Sequence, residues 1–119
     1  MPDSAFPEET PAEQVFEPGE LSIDSSRDGE VQTIGLGGEL DLANAELVDR
    51  ELRRVEATDV RRIVLDLAGL TFVDSSGIRL LIAAAGRADT DRLTIRRPPE
   101  RIERVLRIAG VLERLPIAD

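Results

Sequence analysis

Ile63-Val64-Leu65-Asp66-Leu67-Ala68-Gly69-Leu70-Thr71-Phe72-Val73-Asp74-Ser75-Ser76-Gly77-Ile78 is the stretch on which the fold turns. Its first five residues are β-branched or apolar almost throughout, the composition of a buried central strand. A short connection carrying Gly69 and Phe72 follows. Beyond Asp74 the period changes, with Ile78, Leu81, Ile82 and Ala85 at i, i+3, i+4 and i+7, one stripe of an α-helix. Leu80, Ala83 and Ala84 make this helix apolar almost all round, so it must be well covered. A buried strand that turns directly into a covered helix is the building unit of an α/β sheet.

Working upstream, Asn44 to Ala57 places Val48, Leu52 and Val55 on one helical face and most of its charges elsewhere. Before it, Leu21 to Ile23 and Val31 to Leu36 read as two strands. Ser25-Ser26-Arg27-Asp28-Gly29 separates them, and its Asp-Gly pair is a hairpin signal. Downstream, Leu93-Thr94-Ile95 is a further strand. Pro98-Pro99 opens a helix with Ile102, Val105, Leu106 and Ala109 facing inward, and Gly110 ends it as a C′ glycine. Leu112 to Ile117 can add one strand, which Pro116 confines to an edge or an end. The order β-β-α-β-α-β-α-β predicts an α/β fold: a mixed sheet of about four to five strands covered by about three helices, with right-handed crossovers.

That domain is expected over residues 20–119. Met1 to Glu20 holds six acidic residues, no Lys or Arg, and four prolines. A segment so poor in apolar groups cannot offset its chain entropy, so residues 1–19 read as an acidic, Pro-rich disordered tail.

The 119 residues contain no cysteine and no histidine, which excludes thiol nucleophiles, disulfides, Cys/His zinc sites and imidazole chemistry. A formal net charge of −9, with no Trp, no Tyr and three Phe, argues against nucleic acid as a partner. No run approaches the roughly 20 apolar residues that span a bilayer, so no membrane insertion is expected. The Met1-Pro2-Asp3-Ser4 start lacks a basic region and apolar run, which makes a cytoplasmic location the expectation.

The candidate site lies where strand becomes helix. Asp74 is placed to be the N-cap, with Ser75, Ser76 and Gly77 in the first turn. Unpaired N–H groups and the partial positive charge there tolerate an attached anion, so Ser75 is a sensible phosphoacceptor. In isolation, Asp-Ser-Ser-Gly is far more readily explained by helix capping alone, and Ser76 can be engaged in local hydrogen bonding. A second acidic element, Gly38-Glu39-Leu40-Asp41, is expected at the same end of the sheet, where Asp41 can equally serve a cap or turn. Two carboxylates and a serine without a base, and without a third ligand at fixed spacing, argue against catalysis and against a metal site.

Taken together, Gly38-Glu39-Leu40-Asp41, Ile63 to Leu67, Leu70 to Ile78 and Ile108-Ala109-Gly110-Val111 resemble the anti-sigma factor antagonist (anti-anti-sigma factor) family, built on the STAS domain. The resemblance implies partner switching. An anti-sigma factor that is also a serine kinase, with its Mg-ATP or ADP, would bind the unphosphorylated chain and release a sigma factor. Phosphorylation of the serine after the motif Asp, here Ser75, would end this, and a serine phosphatase would restore it. Asp41 and Asp74 would lie near the kinase, with Ser76 and Gly77 completing the turn. No cofactor of its own is implied, and no enzyme activity. The family usually adds an amphipathic helix after the last strand, which has no counterpart before Asp119. Two other readings compete: a non-switching scaffold or accessory subunit of a stress-signalling or transport assembly, and an enzyme using Asp41 and Asp74 with a divalent ion.

Overall fold

Parallel pairing of two long strands organises the molecule, whose computed structural model describes residues 19–87 and 92–118. In chain order the elements are β1 (Leu21–Asp28), β2 (Val31–Leu40), α1 (Ala45–Glu56), β3 (Arg62–Val73), α2 (Ser75–Arg87), β4 (Leu93–Arg96), α3 (Glu100–Ile108) and β5 (Ile117–Ala118). They form one five-stranded sheet in the order β1-β2-β3-β4-β5. The β1–β2 pair is antiparallel and the other three pairs are parallel. The expected α/β class, element order and mixed sheet are all observed. The tail expected over residues 1–19 lies outside the described residues except for Gly19.

Each helix returns the chain to the next strand on the same side, and this follows from the core. Val48, Leu52 and Val55 of α1, Leu80, Leu81 and Ala84 of α2, and Ile102 and Leu106 of α3 share one cluster with Ile34, Leu36, Ile63, Leu65, Leu67, Leu93 and Ile95 of the sheet. The alternating residues Thr33, Gly35, Val64, Asp66, Thr94 and Arg96 are half-buried or exposed. Hence β3 is central, as expected, but among the described residues it is covered on one face only. Ion pairs such as Arg96 to Asp66 (3.2 Å) cross the open face. Ala83 and Gly86 of α2 are exposed, so that helix is less enclosed than its composition suggests.

Besides β2, which runs on to Leu40 where Leu36 was the expected end, three boundaries differ from the sequence expectation, each for a local reason. The hairpin connection is shorter: β1 continues through Ser25–Asp28, and Gly29-Glu30 alone makes the turn between Asp28 and its partner Val31. Backbone pairing and a bond from Gln32 Nε2 to Ser25 Oγ (2.8 Å) hold this polar end in the sheet. Next, β3 runs on to Val73 where a connection was expected. Two register shifts against β2 each add a residue to β3, so the buried positions change from alternation to Leu67, Leu70 and Val73. Gly69 sits in the first irregularity, where a Cβ would lie 3.0 Å from the Leu36 carbonyl oxygen. Last, Leu112–Arg114 forms a 3-10 turn and only Ile117–Ala118 is strand, at the sheet edge and just after Pro116.

α3 ends as expected. Gly110 has φ +77°, its N–H donates to the Arg107 carbonyl (3.0 Å), and the Val111 N–H donates to the Leu106 carbonyl (3.1 Å). Of the four inward residues, Ile102 and Leu106 are buried, Val105 is half-buried and Ala109 is exposed.

Candidate functional site

The second register shift aims the end of β3 at the carboxyl end of β2. There the Asp74 N–H donates to the Leu40 carbonyl (3.1 Å), and the Asp74 carbonyl accepts from Ile78 (3.0 Å), the first bond of α2. Asp74 Oδ1 accepts from the N–H groups of Ser76 (2.8 Å) and Gly77 (3.2 Å), which is N-capping. Oδ2 turns the other way and accepts from the Leu42 N–H (3.2 Å). One half-buried carboxylate therefore fastens the β2–α1 loop to the start of α2.

Gly77 makes that junction compact. A Cβ there would sit 2.6 Å from Val73 Cγ2 and 2.8 Å from Leu40 Cγ. The first turn of α2 can press onto β2 and β3 only without a side chain at this position. Ser75, one residue past the cap, is exposed, and Ser76 is half-buried.

Asp41 folds its own loop. Its Oδ1 accepts from the Ala43 N–H (3.0 Å), an Asx turn, while its carbonyl accepts from Asn44 (3.1 Å) and Ala45 (2.9 Å). Asn44 is a buried polar residue that the sequence reading passed over except as a helix boundary. Its Oδ1 accepts from the Asp41 N–H (2.9 Å), and its Nδ2 donates to the carbonyls of Glu39 (2.8 Å) and Gly19 (3.4 Å). Its side chain thus braces the loop rather than capping α1, where no side-chain cap bond forms. Glu39 adds a bond from the Gly19 N–H to its Oε1 (2.7 Å).

The five residues singled out in the sequence, Asp41, Asp74, Ser75, Ser76 and Gly77, lie at one end of the sheet on two joined segments. Two apolar side chains nearby were not singled out. Leu42 is 76% exposed and Phe72 is 45% exposed, each one or two residues from a site aspartate. Leu42 had a readable signal, because it fits no stripe of the helix that follows; Phe72 had none, because the irregular upper part of β3 hides which face it takes. Among the described residues, no three acidic side chains gather as a metal site, and no helix is long and apolar enough to cross a membrane.

Comparison with known proteins identifies the class. Residues 23–116 match the family described as Mlab, STAS domain. Over 86 residues the chain is 34% identical to the protein of Bordetella bronchiseptica named as an anti-sigma factor antagonist, BtrV, covering 71% of this chain and 74% of that one. An anti-sigma factor antagonist from Mycobacterium paratuberculosis superposes with a TM-score of 0.78 at 18% identity, over 87% of this chain and 89% of the other. SpoIIAA superposes in its unphosphorylated form with a TM-score of 0.65 and in the phosphorylated form from Bacillus with 0.61. Both are 22% identical and cover 82% of this chain, against 89% and 92% of theirs, so they share its fold. The chain belongs to the STAS-domain family of anti-sigma factor antagonists.

Proposed function

We propose that this chain is a non-enzymatic, phosphorylation-switched antagonist whose partner is an anti-sigma factor with serine kinase activity, Ser75 being the phosphoacceptor. Unphosphorylated, it binds that partner with its Mg-ATP or ADP and the sigma factor is released. Phosphorylated, it no longer binds until a serine phosphatase removes the group. One observation carries the reading: Ser75 is exposed at N1 of α2 while Asp74, Ser76 and Gly77 around it are held by hydrogen bonds and packing. The hydroxyl can meet an enzyme without disturbing the fold.

The switch is electrostatic and steric. A phosphate adds about 1.5 to 2 negative charges beside Asp74 and in the neighbourhood of Asp41. Leu42 and Phe72 offer apolar contact on the same end, so docking desolvates the surface where that charge appears. A loss of about 3 kcal/mol in binding is two powers of ten in affinity. The helix N-terminus already favours the anion, so no refolding is required.

A second reading draws on the family description, which names Mlab. As a scaffold or accessory subunit of a larger assembly, the chain would use Ser75 only as the first residue of α2. Recovery of the bound partner from native extract, followed by incubation with that partner and ATP, separates the two. The switch gives one phosphate per chain, lost in Ser75→Ala. Equal labelling of Ser75→Ala, or a partner without kinase activity, removes it.

A further inference from the structure

Helix α2 carries two charged residues, Arg79 and Arg87, and no acidic one. Arg87, at its far end, is paired with Glu56 (3.0 Å) and Asp49 (3.5 Å). Most other arginines are engaged as well, on carboxylates as Arg50 is with Glu46 and Arg54 with Glu51, or on backbone carbonyls as Arg92 is. Arg79 is exposed and makes no hydrogen bond or ion pair among the described residues. The positions one turn away on its own helix are Ser75, Ser76, Ile82 and Ala83, so α2 offers it no carboxylate. It also stands just past the first turn, toward the end of α2 where the helix field disfavours a cation.

We propose that Arg79 clasps the phosphate once Ser75 carries one, its guanidinium donating to the phosphate oxygens across one turn of α2. The inference rests on Ser75 being the phosphoacceptor. Ser75 and Arg79 stand at i and i+4, a spacing that brings Cβ atoms to about 5 to 6 Å on one side of a helix. Helical side chains lean toward the N-terminus, so Arg79 covers the turn that Ser75 begins. An anion N-terminal to a cation is the favoured order at this spacing. The guanidinium presents paired N–H groups that match phosphate oxygens, and the phosphate brings about 1.5 to 2 negative charges.

The nearest carboxylate in sequence does not compete. Asp74 has both oxygens occupied by backbone N–H groups, those of Ser76, Gly77 and Leu42, and does not pair with Arg79. Ser75 and Arg79 are both exposed, so the contact forms without repacking. Phosphorylation then does more than place an anion beside Asp74: it withdraws a free guanidinium from the helix face that Ser75 shares.

Phosphoserine installed at position 75 of the full chain during synthesis, without a kinase, tests the contact whether or not a partner phosphorylates Ser75. The second ionisation of the phosphate, ordinarily at about pH 6, is followed by phosphorus NMR at low salt. A nearby cation favours the dianion, so this ionisation is expected at least about 0.3 pH units lower in the native sequence than in Arg79→Gln, with Arg79→Lys between them. Asp74, Asp41 and the start of α2 act on the phosphate alike in every variant. Arg79→Gln/Ala83→Arg keeps the net charge and moves the guanidinium to an exposed position two turns from Ser75, so it is expected to titrate as Arg79→Gln does. Equal ionisation in the native sequence and Arg79→Gln overturns the proposal, as does native behaviour in the relocated variant. The Arg79 Nε–H resonance gives a second readout: it is expected to shift as the phosphate titrates, and a resonance unchanged by phosphorylation overturns the contact.

Discussion

The Leu42 N–H donates to Asp74 Oδ2 across 32 residues of chain, and the other oxygen of that carboxylate caps α2. Asp74→Ala removes both functions. Loss of an N-cap costs about 1 to 2 kcal/mol, and freeing the loop adds to it. Thermal unfolding is expected to shift down by on the order of 10 °C, with a smaller shift for Asp74→Asn, which keeps one acceptor oxygen.

Gly77→Ala separates intrinsic preference from packing. Alanine favours a helix by about 1 kcal/mol over glycine, yet its Cβ meets Val73 and Leu40 at 2.6 and 2.8 Å. Overpacking costs about 1 to 3 kcal/mol, so the net effect is destabilising in a denaturant titration, opposite to the preference scale.

Ser75→Asp and Ser75→Ala address binding without folding. An acidic residue at N1 is expected to leave stability unchanged or raise it by about 0.3 to 1 kcal/mol. The same variant is expected to weaken partner affinity at least about tenfold by titration calorimetry, while Ser75→Ala binds nearly as well as the native chain. Leu42→Ser, at a site 76% exposed, is expected to change stability by less than about 0.5 kcal/mol, and Phe72→Ser, at a site 45% exposed, to cost about 1 kcal/mol; both are expected to reduce affinity.

Arg92 closes the end of α1 from a distance. Its guanidinium donates to the carbonyls of Glu56 (3.0 Å), Thr58 (2.9 Å) and Val60 (3.1 Å), acceptors that the helix and the following turn leave free. Arg92→Met keeps the aliphatic stem and removes all three bonds. A loss of about 2 kcal/mol in chemical denaturation is expected, partly recovered in Arg92→Lys.

Glu51 supplies a pH dependence. The hydrogen bond from Arg54 holds its carboxyl below the ordinary range, burial opposes this, and a bond with Ser25 adds to the lowering. A folded-state value below the unfolded one stabilises above the ordinary carboxyl range, and that contribution is lost as pH falls through the lowered value. Stability is therefore expected to fall less steeply below about pH 4 in Glu51→Gln than in the native chain, in unfolding curves recorded across that range.

Residues whose pattern is periodic were legible in advance. Ile63 to Leu67, the stripe of Val48, Leu52 and Val55, and the Asp74-Ser75-Ser76-Gly77 junction each announce their element from side-chain type alone. The upper part of β3 was not legible, because its irregularities replace alternation by a three-residue spacing. Asn44 was read as a boundary residue, although its side chain braces the loop. That role depends on Glu39 and Gly19 being brought alongside it, a tertiary fact without local trace. Leu42 and Phe72 were passed over because an exposed apolar residue departs from the rule that locates the others.

Sheet neighbours in this molecule are also chain neighbours, from β1 through β5. Among the described residues, every strand after β1 emerges with its docking edge already made by the strand before it in the chain. Such a chain can add its strands in order as it leaves the ribosome, although each parallel pair must close across an intervening helix, as Val31 does with Arg62 and Ile63 with Leu93.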